Sequence, residues 1–309
     1  MLLVAQVALI AYMYRPNRTG GPPAVQFFKG ITAEQVVGVA ITDGTQSLAL
    51  KKESKGWRIG TAPTYPAEAK KVEALVKKLL ALSSTRLVAR TDASHGRLKV
   101  AKDGYLRKLT LSMADGTSRE LLLGTSPNYK TIHVRAADVD NVYLAKDLSD
   151  WEVSVAPEEW WDNNYVNVNP ADLKSLILQN GHGRIELTRD GANRWQAVGV
   201  PAGKRLADEA LNHFLNKACL VQLASYLGSE HSDGEFGLDK PLAELSLGAA
   251  GTVVHLKFAL GDATKEEFVA KVSDSPFYVT VHVHEVKALL DATLDALLVD
   301  SDVGTAGKQ

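Results

Sequence analysis

Apolar side chains recur along this chain with two periods, and the periods alternate. Val37, Val39 and Ile41 stand two apart, Asp43-Gly44 follows, and Leu48 and Leu50 are again two apart. A period of two places side chains on one face of a β-strand, and Asp-Gly is a strong hairpin signal. A short strand in "ESKGWRIG" then carries Trp57. The period changes next: Val72, Leu75, Val76, Leu79 and Leu80 follow i, i+3, i+4, i+7 and i+8, one face of a helix opening near Pro66. After it, "RKLTLSMADGTSRELLLG" reads as strand, turn and strand, and "NVYLAKDL" as one strand more.

The same succession then returns. Leu176 and Leu178 precede Asn180-Gly181, Ile185 and Leu187 follow, and Trp195 closes the next short strand. Ala207, Leu211, Phe214, Leu215 and Ala218 share one helical face, and "AELSLGAAGTVVHLKFALG" and "PFYVTVHV" complete the series. Asn180 lies 137 residues after Asp43 (180 − 43), Trp195 138 after Trp57 (195 − 57), Leu260 137 after Leu123 (260 − 123) and Tyr278 135 after Tyr143 (278 − 143). So narrow a spread predicts an internal duplication.

The expected fold is α+β: two tandem copies of a unit with an antiparallel sheet, at 31–155 and 165–298. Residues 156–164 form the expected connector and 299–309 a frayed tail. Trp57, Trp195, Gly44 and Gly181 are its landmarks, each Trp anchoring a helix on a sheet. Trp160 and Trp161 in the connector are candidates for packing between domains, or for an exposed surface that contacts a partner.

The apolar run "MLLVAQVALIAYMY" at 1–14 changes the picture of location. As a helix it would extend about 21 Å, short of the roughly 30 Å hydrocarbon core. It has no basic start and no small-x-small cleavage site, so it is expected to be part of a longer membrane anchor; a helix packed on the body is the alternative. Arg15 and Arg18 after it would, read literally, put the body in the cytoplasm. Residues 15–30, with "RPNRTGGPPA", are the expected linker. The net charge of −1, from 35 basic and 36 acidic residues with no basic stripe, argues against a nucleic-acid partner. The single cysteine, Cys219, lies in the amphipathic segment and reads as a small buried apolar residue.

In the second copy the order is Trp strand, amphipathic helix, "FGLDKP", a strand pair ending in Leu-Gly, and a "YV" strand. This order resembles the bacterial family catalogued as domain of unknown function 4340, over nearly the whole body. The first copy departs from it: "HGRLKVAKDG" keeps only a Gly and a Leu where the second has Phe236, Gly237, Leu238, Asp239 and Pro241. The resemblance implies an N-terminal anchor, a body on the extracytoplasmic side of the bacterial cytoplasmic membrane, and ABC transporter components of the gliding-motility type as neighbours. It implies no activity. Physically, Gly237 permits a left-handed backbone, Asp239 can close an Asx turn, and Pro241 starts a strand.

The sequence selects little chemistry. His282 and His284 in "VTVHVHEV" stand two apart, which on one strand face is how some zinc sites take two ligands, with His255 or Glu285 as a third. His182 and His231 sit in turn-rich stretches, and His95 and His133 have no evident partners. The pairs Glu158-Glu159 and Glu266-Glu267 adjoin turns. No G-x-G-x-x-G, G-x-x-x-x-G-K-[ST] or G-x-S-x-G is present, and no cofactor is expected. The expectation is a non-catalytic accessory subunit of an envelope assembly, with a protein partner. The rivals are a metal-dependent hydrolase on the His282/His284 face and a periplasmic module for glycan or lipid.

Overall fold

The expected hairpin forms with Ile41 opposite Leu48 and Val39 opposite Leu50. The computed structural model describes residues 23–60, 64–249, 251–261 and 266–301, in two units that divide at Trp160/Trp161. The expected anchor at 1–14 lies outside the described residues, among which no helix is long and apolar enough to cross a membrane.

The first unit contains β1 (Val36–Thr42), β2 (Ser47–Glu53), β3 (Gly56–Ile59), helix α1 (Ala69–Ala81), β4 (Leu87–Ala89) and helix α2 (Asp92–Leu98). It continues with β5 (Arg107–Met113), β6 (Ser118–Leu123), β7 (Thr131–Ala136) and β8 (Val142–Lys146). All eight strands join one sheet, in the order β3-β2-β1-β5-β6-β7-β8-β4. α1 buries Val72, Leu75, Val76 and Leu79, four of the five residues the spacing picked out.

The second unit contains β9 (Leu173–Asn180), β10 (Gly183–Arg189), β11 (Trp195–Ala197), helix α3 (Asp208–Cys219) and β12 (Ser225–Gly228). Then come β13 (Ala243–Ala249), β14 (Thr252–Leu260), β15 (Glu267–Val272), β16 (Tyr278–His282) and helix α4 (Val283–Leu290). Its sheet has the order β11-β10-β9-β13-β14-β15-β16-β12, the order of the first. Every pairing between sheet neighbours is antiparallel, and the chain is α+β.

The registers can be compared row by row. One buried row crosses the first sheet as Leu48, Ile41, Leu109 and Leu121; the second has Ile185, Leu178, Leu245 and Leu256. Trp57 faces Lys52 and Trp195 faces Arg189, the same position in each sheet. Both sheets also slip by a residue at two places. One slip lies between Val36 and Gly38, and between Leu173 and Ser175. The other lies beside Val142/Tyr143, and beside Tyr226/Gly228. The first slip corrects the alternation: Val36 and Val39 are buried, whereas Val37 is only half-buried, because a bulge re-aims the side chains beside it.

Two landmark pairings need correction for the same kind of reason. Leu123 faces Val134, which faces Tyr143; the corresponding residues are Phe258, Ala270 and Val279. Leu260 is therefore two residues out of step with Leu123, and Tyr278 one residue out of step with Tyr143. A one-residue slip moves a side chain to the other face. Tyr278 accordingly packs with Leu238, Ala259 and Val269, where the first unit packs Val142 with Leu98, Val100 and Leu122. Burial also separates the two tryptophans. Trp57 is 4% exposed, but Trp195 is half-buried, with the Arg189 guanidinium 4.7 Å from its ring centroid.

The domain boundaries shift too. Val25–Gln26 pairs with Ser83–Ser84 and Phe28 is buried, so residues 25–30 belong to the first unit rather than to a linker. Lys204–Leu206 pairs with Leu298–Asp300, which takes Val299 and Asp300 out of the expected tail. The connector divides between the units. Trp160 is 1% exposed, its indole donates to Ser154 O and its carbonyl accepts from Glu68 N. Trp161 packs edge-on against Tyr226, which meets Phe277 in the same way.

The hairpin glycines differ in role. Gly44 is left-handed at φ 93°, and Asp43 closes that turn by accepting from Thr45 and Gln46. Neither Asn180 nor Gly181 is left-handed. Asn180 is instead buried and donates to the carbonyls of Leu289 and Ala292, tying the hairpin to the end of α4.

Candidate functional site

Among the described residues, a dense group of chemistry-bearing side chains lies in the second unit, around the turn before "FGLDKP". Ser232 and Glu235 form a reciprocal capping box over the single 3-10 turn Asp233–Phe236, and Gly237 ends it at φ 70°. Leu238 then plugs the apolar cluster beneath. The first unit builds the same stop without glycine. Thr91 caps α2, Lys99 ends it in the left-handed region at φ 57°, and Val100 supplies the buried plug. The motif missing from the first unit is thus a missing residue type, not a missing shape. Asp239 is exposed, and the turn is closed by backbone bonds from Leu238 N to Asp233 O and from Lys240 N to Gly237 O, rather than by an Asx turn at Asp239.

Around this turn the polar atoms bond to one another. His231 reaches Glu235 Oε2 at 2.9 Å through Nδ1 and Leu227 O at 3.2 Å through Nε2. Both partners are acceptors, so both bonds form together only in the imidazolium. The bond to Glu235 raises the imidazole pKa, and the same bond, joined by those from Ser232, draws the Glu235 carboxyl down to about 2. Asp233 accepts from Tyr278 OH at 3.0 Å and from Lys257 Nζ at 3.1 Å. Burial works against that carboxylate, but these two bonds outweigh it and its pKa falls. Burial lowers the Lys271 ammonium, which sits 5.2 Å from the Tyr278 ring centroid, and raises the Tyr278 phenol.

Leu227 lies on the edge strand β12, and its carbonyl is the group His231 covers. The histidine therefore works as a clasp on a sheet edge. Its raised folded pKa fixes the sign of the pH dependence: the clasp's stability is complete below the unfolded value near 6.5 and is lost as pH rises through the folded one. An NMR titration is expected to give His231 a midpoint above 6.5, with amide protection of Leu227 and Gly228 falling on the alkaline side. A midpoint below 6.5 contradicts the clasp.

The other candidates lie elsewhere. His282 ends β16 and His284 falls in the first turn of α4, so the two do not share a strand face. The helical spacing of Val286 and Leu289, both buried, overrides the alternation that continued into "VHVH". Their rings stack at 5.5 Å and 17°, and Glu285 Oε1 lies 3.2 Å from His284 Nε2. His255 is not with them. It pairs with Ser246 near the Val272 end of β15, whereas His282 faces Glu267 at the other end. Among the described residues no three His, Cys, Asp or Glu side chains converge on a metal-sized site.

His95 and His133, which had no visible partners in the sequence, are buried. His95 Nε2 meets Asp140 O at 2.7 Å, and His133 Nδ1 lies beside Thr125. Cys219 is buried as expected, and burial pushes its thiol up to about 11. Sequence reading missed the Asp233–Tyr278 group; the available signal was the S-x-x-E of Ser232 and Glu235.

No curated protein and no solved structure matches the chain. A family model does, from the Trp57 strand of the first unit to the end of "FGLDKP" in the second. With residues 57–241 matched, the chain belongs to the family described as Domain of unknown function (DUF4340).

Proposed function

We propose that this protein is a non-catalytic interaction subunit of an envelope assembly. It consists of two copies of one unit, tethered to the bacterial cytoplasmic membrane by its N-terminal apolar segment, with the body on the extracytoplasmic side. Its partner is a membrane protein complex of the ABC-transporter type. The apolar run at 1–14 and the family's usual setting support the location. The shared strand order, registers and slips support the duplication.

One observation carries the non-catalytic reading: the residues of the polar cluster around Asp233–Phe236 are already engaged within the protein. Both ring nitrogens of His231, both carboxylate oxygens of Asp233 and both of Glu235 already hold partners. A general acid or base needs a proton or lone pair aimed at a substrate.

The test is complementation of a deletion strain. A double variant with His282→Ala and His284→Ala is expected to restore function fully and to co-migrate with the same membrane complex in detergent. Stoichiometric transition metal in native protein, lost with function in that variant, would overturn the proposal in favour of a metal-dependent hydrolase. Full-length protein that migrates alone from solubilised membranes would also overturn it.

A further inference from the structure

We infer that the first unit binds an anionic amphiphile, a molecule with a phosphate or carboxylate head and an apolar chain, in the cleft between α1 and the β8 end of its sheet. This inference goes beyond the interaction role and does not rest on it.

The cleft has a volume of about 900 Å³. Its floor is mostly apolar, formed by Leu82 and Leu144 with alanines of α1, and the buried Ser84 hydroxyl among them donates to Leu144 O. Its rim carries Lys77, Arg86 and Lys146, contributed by the helix, the segment before β4 and the end of β8. None of the three forms a salt bridge among the described residues, whereas Lys78 beside them is held by Glu152. Asp147 is the single carboxylate in the lining. Concentrated positive charge over a low-dielectric floor raises the local concentration of anions. An apolar floor without an aromatic face favours an acyl chain over a sugar ring, which would want a stacking platform.

The second unit is an internal control. Matching the helices by their buried faces and the strands by their pairing, Lys77 corresponds to Asn216, Arg86 to Ser225 and Lys146 to His282. Thr131, opposite Lys146, corresponds to Glu267, opposite His282. The same sheet and helix thus form with none of the three cations, so the fold does not require them. The turn beside the cleft is common to both units: Lys130 is left-handed at φ 54° and its carbonyl accepts from Asp147 N at 2.9 Å, as Glu266 is at φ 53° and its carbonyl accepts from Val283 N at 2.9 Å, so the units differ here in side-chain charge and not in this turn.

The test grafts the second unit's residues onto the first: Lys77→Asn, Arg86→Ser and Lys146→His together in the full-length protein. Titration calorimetry uses dihexanoyl phosphatidylglycerol below its micelle concentration, with dihexanoyl phosphatidylcholine and inorganic phosphate as comparators. The native protein is expected to bind the phosphatidylglycerol, with affinity falling as salt rises, and to bind the phosphatidylcholine at least tenfold more weakly. The graft is expected to lose at least tenfold toward phosphatidylglycerol at an unchanged unfolding midpoint. If the graft does not fold, Arg86→Ser alone is expected to weaken binding several-fold.

Vesicles with and without phosphatidylglycerol identify the source, read as the difference between native protein and graft so that the N-terminal segment cancels. A difference on vesicles makes the ligand a bilayer lipid, and a difference with monomers only makes it a soluble carried amphiphile; both support the inference. Equal affinity for the two phospholipids, unchanged binding by the graft, phosphate binding as tightly as the phospholipid, or an acidic peptide competing equally well would each overturn it.

Discussion

Gly124→Ala is expected to destabilise the first unit by about 3 kcal/mol or more, the upper range for forcing atoms into a packed interior. A Cβ at Gly124 would lie 2.0 Å from Leu98 O, 2.7 Å from Val100 Cγ1 and 2.9 Å from Lys99 O. Two of these are backbone atoms, so no rotamer change relieves the clash. The turn after α2 must lift from the end of β6, losing the 3.0 Å bond from Thr125 N to Leu98 O and opening the cluster of Leu98, Val100, Leu122 and Val142. The second unit shows that the position itself is not hostile to a methyl group: its counterpart is Ala259, buried beside Leu238. The approach of the left-handed Lys99 turn makes the difference. Denaturant unfolding followed by a probe in each unit measures the effect, since two units need not unfold in one step. A loss below about 1 kcal/mol would mean that the turn is not seated on the sheet.

Trp160→Ala is expected to cost about 3–5 kcal/mol, the range for removing a buried Trp or Phe. The ring is 1% exposed, donates to Ser154 O and lies 5.2 Å beneath the Lys71 ammonium, which also reaches Glu159 O. Trp160 was a candidate for contacting a partner, but its burial makes it part of the first unit's core. Trp151, 67% exposed nearby, is the control: Trp151→Ala is expected within about 0.5 kcal/mol. Binding to the membrane complex proposed above should fall in Trp160→Ala only in proportion to the unfolded fraction, measured by comparing pull-down with circular dichroism at the same temperature. A stable Trp160→Ala protein that loses its partner would restore the contact reading.

The α+β class, the hairpins and the two amphipathic helices were legible in the residues, because each depends on a period within one segment. Val72 to Leu79 and Leu211 to Ala218 are buried as their spacing predicts. Trp57 and Trp195, 138 residues apart (195 − 57), each follow a hairpin through one short turn and sit opposite Lys52 and Arg189. Legibility ended where neighbours choose the outcome. Tyr143 and Tyr278 look alike in sequence, but the strand pairing puts them one residue out of step and so on opposite faces. His282 and His284 alternate like strand residues until the burial of Val286 and Leu289 turns the chain into a helix between them.

Lys99 resembles no glycine, and only the packing of Val100 shows that it occupies the left-handed stop that Gly237 holds in the other unit. The cationic cleft is the extreme case. Lys77, Arg86 and Lys146 lie in three separate segments, each ordinary alone. Periodicity carries which side of an element is buried, so the sequence by itself determined the elements and their inner faces. Which outer-face residues become neighbours depends on strand order and register, and those are set by long-range pairing, so only the tertiary structure decided the sites.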